Sequence, residues 1–178
     1  MKTRTEKIKR IKRLLALFIV LLILSGLTAF PTVTELNFLN AHEALIPSFA
    51  RGWIAQVCAS LNEIDATKPY LLYGYDWLAF AHIIISFFFI GALKNPVRNA
   101  WVIRTGMLAC IGVFPLAFIC GPIRTIPIGW TFIDCSFGVF GFVLLWYTHR
   151  QLLDIIPRNQ FAQHFLGKNR VDSESTPN

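Results

Sequence analysis

Charged side chains are scarce in this chain. Asp, Glu, Lys and Arg account for 15% of its 178 residues, against 54% hydrophobic residues that include 16 phenylalanines. A soluble domain of that length needs a charged surface. The shortage therefore excludes an ordinary soluble globule and leaves the apolar excess to face lipid. Paired cysteines are also absent: Cys58, Cys110, Cys120 and Cys135 form no CxxC pair and no metal-type spacing. That removes the dithiol chemistry of a disulfide-generating membrane oxidoreductase and any zinc site defined by spacing. There is no internal repeat, and no nucleophile elbow precedes Ser86 or Ser136, the serines a hydrolase would use.

What charge there is has a position. The formal net charge is +7, and seven of the 17 Lys and Arg fall within the first 13 residues, directly before an apolar run. Nucleic-acid readers carry basic residues through a folded face with aromatics between them. A basic block beside an apolar run is juxtamembrane instead, so no nucleic-acid partner is expected. The run Leu14 to Phe30 (LLALFIVLLILSGLTAF) has the length of a signal-peptide core. Cleavage after Ala29 would place Leu27 where a small residue is wanted, which favours an uncleaved anchor.

Three more apolar runs follow, at 77–93, 101–120 and 129–148, the third span bent by Pro115. Each has the roughly 20 residues that an apolar core of about 30 Å requires at about 1.5 Å per residue. The expected fold is an all-α membrane protein, a bundle of four transmembrane helices. Residues 1–13 form a basic N-terminus, 14–148 the membrane domain, and 149–178 a polar tail whose end, VDSESTPN, is expected to be disordered. The segment 31–75 lies between the first two spans and shows two capping-box-like starts, Thr32-x-x-Glu35 and Asn40-x-x-Glu43. Within it, Phe49, Trp53, Ile54, Val57, Leu61 and Ile64 recur at helical spacing, with Phe49, Trp53, Val57 and Leu61 along one line. They predict an amphipathic helix over roughly 48–63 that sets those four against membrane or bundle.

Fourteen of the 17 basic residues fall on one side of this topology, with the termini and the 94–100 link. Only Arg51, Lys68 and Arg124 fall on the other. This asymmetry predicts both termini in the cytoplasm of a cell inner membrane, and Trp77 and Trp130 against Trp101 and Trp146 give two aromatic belts in the same register.

Ionisable groups within spans are costly enough to need a partner or a purpose. His82 and Asp134 both lie roughly 8–9 Å below the outer boundary on helices running the same way. Tyr75, His82 and Ser86 share one helix face; Thr131, Asp134, Gly138 and Gly141 share another, where glycines permit close helix approach. The two faces are expected to turn inward and meet. Arg124, held between Pro122 and Pro127, is a candidate partner for Asp134 or Asp76, with His42 and Glu43 as a lid above. Such a cluster could equally do no more than lock helices together.

No cofactor is identified by these residues. Haem needs a second histidine at membrane depth, and His149 and His164 lie at the opposite face. The metal-ligand types His42, Glu43, Asp76, His82 and Asp134 match no motif. The expected function is a non-enzymatic accessory subunit or small-ligand-binding bundle with an outward-facing polar pocket. Its partners would be the lipid bilayer and either other membrane subunits or further copies of itself. The alternatives are a membrane redox protein or enzyme binding haem, quinone or metal at the His82/Asp134 cluster, and a small proton-coupled transporter. Against transport, IIISFFFIGAL below His82 has only Ser86 as a polar residue.

Overall fold

A computed structural model describes residues 4–155. Six α-helices follow one another: α1 (Arg4–Ala29), α2 (Thr32–Ala41), α3 (Ser48–Thr67), α4 (Tyr73–Lys94), α5 (Ala100–Ile123) and α6 (Ile128–Leu153). Single 3₁₀ turns occur at Glu43–Leu45 and Pro69–Leu71. No strand occurs among the described residues. Helices α1, α4, α5 and α6 are long and apolar enough to cross a membrane, and they contain the four apolar runs except Phe30, which lies just beyond α1. The protein is thus an all-α, four-span membrane protein with a short amphipathic helix, α3, between the first and second spans. The tail end VDSESTPN lies outside the described residues.

Large apolar side chains are left uncovered on these helices. Phe140 is 73% exposed, Phe137 70%, Leu108 68% and Phe88 63%. Such a continuous apolar exterior is what lipid, not water, accommodates.

The chain divides into two compact units, one formed by Ala16–Ile90 and the other by Met1–Leu15 with Gly91–Asn178. In the Ala16–Ile90 unit, α1 packs on α4. The Phe18 and Phe89 rings lie 4.7 Å apart, and a Cβ at Gly26 would stand 2.7 Å from the Ala79 carbonyl oxygen. Helix α2 pairs with α3 through a reciprocal amide bond. Asn37 Nδ2 donates to Asn62 Oδ1 at 3.0 Å, and Asn62 Nδ2 donates to Asn37 Oδ1 at 2.7 Å and to the Cys58 carbonyl at 2.8 Å.

Helix α3 ends at Thr67, and of the four residues expected against membrane or bundle Leu61 alone is buried within the protein. Ala50, Ile54, Cys58 and Leu61 are buried, Trp53 and Val57 only half-buried, and Phe49 is 77% exposed. Small and aliphatic residues form the buried stripe, and the bulky aromatic is left outside. Helix α2 begins at Thr32 as its capping box suggests, but no side-chain cap bond forms; the Thr32 hydroxyl donates back to Ala29 instead. Asn40 lies inside α2, so the second capping box starts no α-helix; Glu43 opens a 3₁₀ turn.

In the other unit, α5 and α6 form an antiparallel hairpin. α5 continues through Pro115. It ends in a Schellman arrangement, in which Ile126 N–H donates to Gly121 O at 2.9 Å and Thr125 N–H to Pro122 O at 3.1 Å. This places Thr125 at φ 55°, where a β-branched residue is strained. Thr125→Gly keeps the turn and removes the strain, so it should raise stability by about 1 kcal/mol in detergent unfolding. A loss of stability would show that the threonine side chain has a role of its own. On the α4–α5 link, Asn99 Nδ2 donates to Gly91 O and Asn95 O, occupying carbonyls the helix end leaves open.

Candidate functional site

The sequence-predicted polar residues are divided between the two units: His42, Glu43, Tyr75, Asp76, His82 and Ser86 belong to one, Arg124 and Asp134 to the other. On α4, Ser86 is fully buried and its hydroxyl donates to Ile83 O at 2.6 Å, so it is satisfied within its own helix. His82 is half-buried with its Cβ beside Gly26 of α1. Its Nδ1 lies 2.7 Å from the Leu78 carbonyl, which can only accept. The Nδ1–H is therefore the donor, and Nε2 is the nitrogen left to accept. Tyr75 is 41% exposed on the same helix. Asp134 is exposed on α6 between Phe132, Ile133 and Phe137. Within that unit no ion pair joins it to Arg124, which occupies the C-cap of α5, exposed, before the strained Thr125. His42 stacks on Phe38 with ring centroids 4.3 Å apart and donates from Nδ1 to the Phe38 carbonyl, while Glu43 begins the 3₁₀ turn. Among the described residues, no three His, Cys, Asp or Glu side chains gather as metal ligands.

One of the predicted residues lines a cavity. Asp76, in the first turn of α4, faces a groove of about 210 Å³ whose other walls are Phe30, Tyr73, Trp77 and Phe80. The local sequence YGYDWLAF explains the arrangement. Positions 73, 76, 77 and 80 are spaced i, i+3, i+4 and i+7, so they share one helix face. Phe30 completes it from just beyond the end of α1. The rings brace one another edge to face: Tyr73 on Trp77 at 6.0 Å and 81°, Trp77 on Phe80 at 6.0 Å and 88°. Edge-to-face packing holds the ring faces in fixed directions. The groove is therefore one carboxylate set among four aromatic rings.

No family model, curated protein or solved structure matches this chain.

The chemistry rests on the groove alone. Aromatic faces carry partial negative charge and attract cations within about 6 Å of the ring centroid. A carboxylate beside them adds a full charge and a hydrogen-bond acceptor. The four rings are the residues that sequence reasoning missed. Trp77 stands out in the sequence as a membrane-boundary marker, yet the aromatic stripe around Asp76 was visible in the same eight residues.

A second groove, of about 420 Å³, belongs to the other unit. Lys7, Arg10, Tyr147, Arg150, Gln151 and Asp154 line it where the start of α1 meets the end of α6. Its residues contribute nothing to the carboxylate groove.

Proposed function

We propose that this chain is a non-enzymatic, small-ligand-binding protein of a cell inner membrane, with both termini cytoplasmic. On this reading it holds an organic cation in the outward-facing groove around Asp76. The observation that carries the proposal is a single carboxylate walled by four aromatic rings. An ammonium or quaternary ammonium group gains about 0.5–2 kcal/mol from such ring faces. Pairing with Asp76 adds charge attraction that a half-open site only partly screens. An anion would meet both a like charge and electron-rich faces.

Trp77 supplies the assay. Titrating the purified protein with tetramethylammonium or choline should change its tryptophan fluorescence saturably. Asp76→Asn keeps the shape and removes the charge, and should weaken binding about tenfold or more, equivalent to about 1.4 kcal/mol. Trp77→Phe should abolish most of the signal. Equal affinity in the wild type and Asp76→Asn would defeat the proposal.

The orientation rests on the 14-to-3 distribution of basic residues and on the tryptophans near the span ends. Reporter fusions at positions 60 and 97 should report opposite sides, with 97 cytoplasmic. Reports from one side would invert or break the topology, and with it the outward placement of Asp76.

A further inference from the structure

The basic groove where α1 begins and α6 ends carries a separate inference, resting on neither the Asp76 groove nor the orientation. Lys7, Arg10 and Arg150 contribute three positive charges to it, against the single carboxylate of Asp154. Lys7 Nζ lies 3.0 Å from Asp154 Oδ2, which leaves the two arginines in excess. Neither arginine is loose. The Arg10 guanidinium lies over the Tyr147 ring, 4.9 Å from its centroid, and that of Arg150 over the Trp146 ring at 5.1 Å. A guanidinium held over a ring keeps N–H donors for another partner, since it carries five. Two such groups beside one groove match the oxygens of a phosphate.

The surroundings select the source of that phosphate. Phe140 and Val143 lie seven and four residues before Tyr147, on the same face of α6, and are 73% and 53% exposed. An apolar track thus leads along the helix into the charged groove. Arg10 stands one turn before the apolar run that begins at Leu14, which is headgroup level for a helix entering a bilayer. A free phosphate would use the charges and ignore the track; a phospholipid would use both. We infer that this groove is a binding site for the phosphodiester headgroup of an anionic phospholipid, with an acyl chain along Phe140 and Val143.

The test uses the purified full chain in detergent and native mass spectrometry with phosphatidylglycerol or phosphatidylcholine added. The wild type should retain one phosphatidylglycerol in preference to phosphatidylcholine. Arg10→Gln with Arg150→Gln should reduce that preference about tenfold more than Lys9→Gln with Lys12→Gln, which removes equal charge from the start of α1 outside the groove. Asp154→Asn should act in the opposite direction and raise retention several-fold, an effect that misfolding cannot mimic. Equal losses from the two double variants would reduce the effect to general surface charge and overturn the site. So would unchanged retention in Asp154→Asn. Displacement of the lipid by millimolar inorganic phosphate would overturn the lipid as occupant in favour of a free anion.

Discussion

Alanine at Gly26 should destabilise the protein by about 1–3 kcal/mol, and leucine there by more. An added Cβ would meet the Ala79 carbonyl oxygen at 2.7 Å, Ile83 Cγ1 at 2.9 Å and the His82 Cβ at 3.3 Å. The isoleucine can rotate away; the backbone carbonyl of α4 cannot. Helix propensity pulls the other way, since alanine is better than glycine in a helix interior by up to about 1 kcal/mol. A net loss would therefore mean that steric repulsion outweighs that gain. The measurement is a reversible unfolding titration with SDS in mixed micelles. Wild-type stability for Gly26→Ala would show that α1 and α4 do not approach as closely as these distances require. Because the His82 Cβ lies at this contact, Gly26→Leu should also disturb the imidazole, and because Ala79 directly precedes Phe80 it should weaken cation binding in the Asp76 groove as well.

The four spans were legible because length and composition alone define them. About 20 apolar residues in a row have few other fates, and basic residues and tryptophans flank them. The α3 stripe was not legible for a related reason. Hydrophobicity separates inside from outside only when the outside is water. Phe49 and Trp53 were expected against membrane or bundle, and the stripe that faces protein is Ala50, Ile54, Cys58 and Leu61. Near a bilayer both sides of a helix accept apolar groups, and residue size marks the seam better than polarity does.

The candidate sites were read from polarity alone. His82, Ser86 and Asp134 were singled out because polar groups are conspicuous in apolar helices. Yet Ser86 and His82 spend hydrogen bonds on carbonyls of their own helix, which no wheel diagram shows. Asp76 was legible as a charge, and of its four aromatic neighbours Trp77 alone was singled out, as a boundary marker. Lys7 and Arg10 stood out as a topology signal. That they meet Tyr147, Arg150 and Asp154 depends on the chain returning α6 to the start of α1, which no local pattern specifies.

A pair of alanine substitutions on the α5–α6 hairpin should have opposite signs. Gly138 of α6 is buried against α5, where a Cβ would stand 2.8 Å from the Cys110 carbonyl oxygen and 3.3 Å from Val113 Cβ. Gly112, between Cys110 and Val113 in the sequence of α5, has nothing within 4 Å of where its Cβ would be. Gly138→Ala should cost about 1–3 kcal/mol as the helices are pushed apart. Gly112→Ala meets no neighbour and should gain up to about 1 kcal/mol from helix propensity alone. The two variants differ from the wild type by the same single methyl group. A separation of about 2–4 kcal/mol between them in one unfolding assay therefore measures the close approach itself. If both alanines stabilise, the seam between α5 and α6 must tolerate an extra methyl, and side chains such as Thr131 and Cys135, not backbone contact at Gly138, hold the hairpin together. If both destabilise, Gly112 must be covered by something other than this chain, such as a second copy or another membrane subunit packed against α5.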